Sequence, residues 1–225
     1  MPPGIDRYLV SDFTLVFADE SLLVVNKPSG LLSVPGRGHD KQDCLSSRVQ
    51  AHYPDALVVH RLDMATSGLM LLARSRSVQR SLSQAFAARE VHKIYEAVVQ
   101  GLLAMPAQAP DGWATIDLPI ALDWPQRPLR VIDAVQGKSS LTRWQVHGHD
   151  AAAHSTRLRL APVTGRSHQL RLHLQALGHP ILGDALYAPV DVQARAPRLL
   201  LHARELRLVH PVTGLDMHFE CATPF

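Results

Sequence analysis

The 225-residue chain predicts an α+β fold built on a mixed, mostly antiparallel sheet. Three observations carry this expectation. Short strand-type runs recur from Leu22-Val25 to Glu205–His210, with turn residues between them. Few segments carry a helical period. The regular alternation of strand and helix that builds parallel βαβ units is missing. With 46% apolar residues the chain can bury a sizeable core, and no composition shift marks a boundary, so residues 1–225 read as a single domain.

Taken in order, Leu22-Leu23-Val24-Val25 is a strand-type run broken by Asn26-Lys27-Pro28-Ser29-Gly30, whose proline and glycine suit a type I turn. Gly36-Arg37-Gly38-His39-Asp40-Lys41 reads as a polar loop; its spacing is not that of a nucleotide-binding P-loop. Leu69-Met70-Leu71-Leu72-Ala73 reads as a buried strand. A helix is predicted from Ser77, which would cap it, with Val78, Leu82 and Phe86 inward and Arg74, Arg76, Arg80 and Arg89 on the exposed side. Lys93 to Val99 is a strand ended by Gly101, and residues 102–112 an exposed connection. Two prolines in Asp123-Trp124-Pro125-Gln126-Arg127-Pro128 forbid a central strand there. Ser140–His147 and His154–Ala161 form a strand pair, with Thr156, Leu158 and Leu160 on one face and Arg157 and Arg159 on the other. After Thr164-Gly165 comes a second helix, with Leu170, Leu174 and Leu177 on one face, closed by Gly178 and Pro180. Leu199–Ala203 and Glu205–His210 are strands, followed by a turn at Pro211-Val212-Thr213-Gly214.

Composition excludes several classes. Cys44 and Cys221 are the only cysteines, too few and too far apart for a disulfide scaffold or a cysteine metal site. No run approaches the roughly eighteen apolar residues of a membrane span. Met1 to Arg7 lacks a leader's apolar core, so a protein of the cytoplasm, with no membrane partner, is expected. Net charge is only +3, but arginine far outnumbers lysine, which favours bidentate phosphate contact and base stacking. His147, His149 and His154 are the best metal alternative. Without a cysteine or carboxylate at ligand spacing they read as solvated histidines, and no metal or cofactor is expected.

The centre of the chain is Val59-His60-Arg61-Leu62-Asp63-Met64-Ala65-Thr66-Ser67-Gly68. Thr66-Ser67-Gly68 supplies short hydroxyls and a glycine for a tight turn, which leaves Asp63 on a loop just ahead of a rigid strand. A lone aspartate there is ordinarily a turn former. The protein-kinase catalytic loop differs, since its acid directly follows the arginine. The run His60-Arg61-Leu62-Asp63-x-x-Thr66-Ser67-Gly68 resembles the signature of the RluA-type pseudouridine synthases. Other motifs resemble that family in the same order: Val24-Val25-Asn26-Lys27-Pro28-Ser29-Gly30-Leu31, Lys93-x-Tyr95, Thr164-Gly165-Arg166-Ser167-His168-Gln169-Leu170-Arg171-x-His173, Gly178-His179-Pro180-Ile181-Leu182-Gly183-Asp184 and Leu200-Leu201-His202-Ala203. Together they cover about residues 24–224.

The resemblance implies a pseudouridine synthase fold with a central catalytic cleft, and a catalytic domain lacking the S4-like domain of some relatives. It implies isomerisation of uridine in RNA, with Asp63 as nucleophile or general base, Tyr95 stacked on the target uracil and Arg166 holding the acid ionised against burial. A stacked uridine must be flipped out to reach Asp63, and Arg61 could fill the gap. His60, Thr66, Leu174, Trp124 and Arg127 are further substrate-binding candidates, the last two as a stacking platform. Asp123-Trp124-Pro125-x-Arg127-Pro128 resembles the subgroup that modifies both a tRNA anticodon stem-loop and a large-subunit rRNA stem-loop. A monomer with structured RNA as its partner is therefore expected, the alternative being a non-catalytic RNA-binding module on the same fold.

Overall fold

The computed structural model describes residues 8–10, 13–107, 109 and 111–225; the opening segment Met1 to Arg7, read above for its composition, lies outside them. In chain order the elements are β1 (Tyr8–Val10), β2 (Phe13–Ala18), β3 (Leu22–Lys27), α1 (Leu45–His52), β4 (Leu57–Val58), β5 (Ser67–Ala73), α2 (Arg76–Ala88), β6 (His92–Gln100), β7 (Ala114–Asp117), β8 (Ile120–Leu122), β9 (Arg130–Ile132), β10 (Leu141–Asp150), β11 (Ser155–Pro162), α3 (Gln169–Ala176), α4 (Val190–Gln193), β12 (Leu201–Val209) and β13 (Asp216–Glu220). The strand pairings described are antiparallel and the helices few, so the fold is α+β as expected. The chain divides into two compact units, residues 1–93 with 203–224 and residues 94–202 with 225, and it passes from one to the other inside β6 and inside β12.

In the first unit β1, β2, β3 and β5 pair in that order, β4 joins β5, and β12 forms a hairpin with β13. Both faces of this sheet are covered, which explains its unbroken apolar runs. Leu22 and Val24 of β3 and Leu69 and Leu71 of β5 face one core, with Val78 and Leu82 of α2 and Leu206, Leu208 and Phe219 of the hairpin. Leu23, Val25, Met70 and Leu72 point the other way, onto Leu45 and Val49 of α1. This is the period of two of a strand, with both phases apolar. Burying each such side chain stabilises the fold by roughly 1.5–3 kcal/mol. No helix among the described residues is long and apolar enough to cross a membrane.

In the second unit β6, β11, β10 and β7 pair in that order, and β8 and β9 form a separate two-stranded ribbon. The predicted alternation in β11 holds: Thr156, Leu158 and Leu160 are buried while Arg157 and Arg159 are half-buried, and Arg157 pairs with buried Glu96 on β6.

Several local expectations need correction. The turn ahead of β5 is Asp63–Thr66, closed by the Thr66 N–H on the Asp63 carbonyl at 3.1 Å, and Ser67 and Gly68 already belong to the strand. Gly68 is there for contact: at φ 115° an added Cβ would overlap the backbone of Ala203 on β12. Ser75, not Ser77, caps α2, accepting from Val78 N–H at 3.3 Å. Arg74 precedes that helix and pairs with Asp55 at 2.9 Å. Leu177 is exposed, whereas Gln169 to Leu174 are all buried, because α3 is enclosed nearly all round. The two carboxy-terminal runs are one strand, β12, and β13 carried no apolar alternation long enough to predict it.

Candidate active site

Asp63 is half-buried, in the middle of the loop between β4 and β5. The carbonyls on either side of it are tied to the segment after β3. Lys27, fully buried at the end of β3, donates from Nζ to Pro28 O, Leu31 O and Met64 O at 2.8, 2.7 and 2.9 Å. An ammonium has three N–H donors, and charge-assisted bonds to three carbonyls make its burial tolerable. Gly30 N–H also donates to Met64 O at 2.9 Å, Ser29 Oγ to Ala65 O at 2.7 Å and Ser33 Oγ to Leu62 O at 2.7 Å. In return the Leu62 N–H donates to Ser33 Oγ. The segment Lys27–Ser33 is thus a cradle that fixes the backbone path through Asp63.

Of the other candidates on this loop, Arg61 is exposed and Thr66 is buried, its N–H closing the turn. His60 Nε2 accepts the Leu71 N–H at 2.9 Å, and its ring stacks on Phe86 of α2 with centroids 4.6 Å apart. Burial, with a lesser contribution from the Lys93 ammonium, lowers the His60 pKa from 6.5 to about 3. Nε2 therefore stays an acceptor at neutral pH, and the proton sits on Nδ1. Lys93, at the start of β6, lies over the other aromatic contact, 5.7 Å from the Phe86 centroid, and burial lowers its pKa as well.

The remaining candidates belong to the second unit. Tyr95 is half-buried on β6, in register with Leu160 of β11. Arg166 is exposed, and its guanidinium donates from Nε and Nη2 to Ser139 O at 3.3 Å each. Its backbone is fixed by Gln169, a buried amide with every hydrogen-bonding capacity in use. Gln169 Oε1 accepts from Arg166 N–H at 3.0 Å and from Thr164 Oγ1 at 2.8 Å; Nε2 donates to Leu141 O and Thr142 Oγ1 at 3.0 Å. Leu174 is fully buried in α3. Trp124 and Arg127 do come together on the β8–β9 loop. Trp124 is 65% exposed, and the Arg127 guanidinium lies 4.8 Å from its ring centroid.

The first motif is legible in the sequence, but the hydrogen bonds of Lys27, Ser29 and Ser33 are not. The only signal was a lysine placed just inside a strand that is otherwise buried. The pairing of Arg171 and Asp184, buried and bidentate at 2.5 and 2.8 Å, is likewise not legible there. Among the described residues the one metal-ligand-like cluster is Glu205, His218 and Glu220 on the β12–β13 hairpin. Arg207 lies 3.3 Å from the Glu205 carboxylate, so an ion-pair network accounts for it. His147, His149 and His154 are not part of it; His149 Nε2 instead lies 2.9 Å from Leu103 O.

An acid held on a strand-leading turn by a lysine-bearing cradle, on an α+β scaffold with these motifs in this order, defines a family. Residues 21–176 match the model of the RNA pseudouridylate synthase family, and the chain belongs to that family of isomerases. It is 47% identical over 211 residues to the dual-specificity RNA pseudouridine synthase RluA of Yersinia pestis, covering 94% of this chain and 99% of that one. To the protein of the same description from Haemophilus influenzae it is 44% identical over 223 residues, 99% and 97% of the two chains. Among solved structures, human RNA pseudouridylate synthase domain containing 1 is similar at a TM-score of 0.75 and 30% identity, over 100% of this chain and 87% of that one.

Proposed function

We propose that the chain converts uridine to pseudouridine in stem-loops of both a tRNA anticodon arm and large-subunit rRNA. The description of its near-full-length relatives as dual-specificity RNA pseudouridine synthases supports two kinds of RNA target, and the motif resemblance suggests which two. The observation that carries the chemistry is the cradle that fixes the backbone on both sides of Asp63.

In this reaction the N1–C1′ bond breaks, the uracil turns, and a C5–C1′ bond forms. N1 gains a proton and the hydrogen of C5 leaves to solvent. Asp63 serves as the nucleophile towards the sugar or base, or as the base that takes a sugar proton; either needs a carboxylate with a fixed aim. Tyr95 stacks on the uracil, and Arg166 supplies a cation to the reaction. Arg61, exposed beside the acid, fills the stack that the flipped base leaves. Trp124 and Arg127 hold loop bases by stacking. His60, Thr66 and Leu174, turned into the protein, pack behind the candidate residues rather than touch the reacting atoms.

The test is to map pseudouridines in total RNA from cells with and without the gene. Loss of one tRNA anticodon-loop site and one large-subunit rRNA site is expected. An unchanged map, with RNA binding by the purified chain, would instead mark a binding module without catalysis.

A further inference from the structure

His168 holds a backbone conformation that side chains rarely adopt, φ 59° and ψ 13°, immediately ahead of α3 and two residues after Arg166. Strain of this kind persists only where the surroundings over-determine it. One of the contacts that hold it is with Tyr187. Its hydroxyl lies 2.7 Å from His168 Nδ1, and the two rings meet edge to face, 5.6 Å apart at 75°. The same hydroxyl accepts the Arg130 N–H at 3.0 Å. Arg130 opens β9, the strand that closes the Trp124–Arg127 loop. Tyr187 is in turn fixed from below: the Arg171 guanidinium lies 5.2 Å from its ring centroid, locked by its bidentate pair with Asp184, and Asp184 Oδ1 accepts the Tyr187 N–H.

We propose that Tyr187 and His168 are a positioning pair, through which one phenol oxygen sets the Arg166 turn in register with the Trp124–Arg127 loop. A phenol has one proton and two lone pairs. One lone pair is taken by Arg130. A cation over the ring face makes the hydroxyl the better donor, so its proton goes to His168 Nδ1, and the imidazole carries its own proton on Nε2. Loop and turn are then linked by two hydrogen bonds through a single atom. The consequence is kinetic: a stem-loop gripped at Trp124 and Arg127 is presented to Arg166 at a fixed distance. This rests on the proposed roles of Arg166 and the stacking loop.

Tyr187→Phe deletes the oxygen but keeps the ring and its cation. His168→Asn tolerates the left-handed backbone but shortens the reach to Tyr187. Each variant is expected to lower kcat on a 5-tritiated uridine stem-loop by roughly 10- to 100-fold, with KM changed less than threefold and the urea midpoint nearly unmoved. The double variant is expected to be no slower than the worse single one, since both remove one unit. Wild-type kcat in Tyr187→Phe, additive losses, or losses that track the urea midpoint would overturn the proposal. Imidazole nitrogen NMR reads the same pair without any turnover. Nδ1 unprotonated and Nε2 protonated in the wild type, changing in Tyr187→Phe, supports it; a proton on Nδ1, or no change, contradicts it even if the chain proves inactive on RNA.

Discussion

The two units fix their functional segments by different means. In the first, the Asp63 loop is held through its own backbone: the Leu62, Met64 and Ala65 carbonyls each accept from the Lys27–Ser33 cradle, and Gly68 brings β5 against Ala203. In the second, the Arg166 turn is held by side chains, Gln169 and the Tyr187–His168 pair, while Trp124 and Arg166 themselves remain exposed. Bonds onto three carbonyls fix the backbone of the acid's loop and leave it little to adjust. The Gln169 and Tyr187–His168 contacts fix the Arg166 turn but leave its guanidinium at the surface, resting on Ser139 O, where an RNA can reach it. On the proposed function, precision is needed at the acid, and less at the surface proposed to meet the nucleic acid.

This contrast can be broken or sharpened by substitution. The largest effect is expected from Gly68→Ala. A methyl there overlaps the Ala203 backbone at a φ of 115°, so stability should fall by roughly 3 kcal/mol or more, or the chain should not fold; urea denaturation reads this. Next is Lys27→Met, which keeps the volume but removes the donor to the Pro28 and Leu31 carbonyls and leaves Met64 O with the Gly30 N–H. A loss of about 2–4 kcal/mol is expected, with the remaining activity at saturating RNA also reduced; an unchanged protein would mean the cradle is not what holds the loop.

His60 gives a pH test of the same region. Its folded pKa, about 3, lies below the ordinary 6.5, so the unfolded chain binds the proton first as pH falls. Its contribution to stability is therefore complete above pH 6.5 and is lost progressively as pH falls towards 3. His60→Gln should flatten this part of the pH–stability curve, measured by thermal melts between pH 4 and pH 7; an unaltered slope would show that other groups set it. The smallest effect is expected at the exposed surface. Trp124→Ala should leave stability unchanged within about 0.5 kcal/mol and weaken stem-loop binding by roughly 5- to 50-fold, read by fluorescence anisotropy.

How much of this was legible in the sequence follows from the same contrast. The buried β5, the alternation in β11 and the loop position of Asp63 were readable, because apolar periodicity and turn residues act locally. The cradle was not. Lys27 to Met64 spans 37 positions, and the one local sign, a lysine in an otherwise buried strand, does not say which carbonyls its amine meets. Gly68 was assigned to a turn because a glycine needed for close approach to Ala203 looks, in one dimension, like any turn glycine. The α3 face was drawn too narrow for a related reason: Arg171 and His173 look solvent-facing until Asp184, Thr142 and Leu118 are brought to them. The motif resemblance named candidate site residues, but long-range hydrogen bonds decide what holds their backbone.

The most direct test of the central claim is tritium release from a stem-loop carrying 5-tritiated uridine, measured in single turnover with the wild type and with Asp63→Asn. The substitution keeps the size of the side chain and removes its charge. Stoichiometric release by the wild type is expected, and a rate at least roughly 10³-fold lower for Asp63→Asn with RNA affinity retained. Release by Asp63→Asn within a few-fold of the wild-type rate would contradict it.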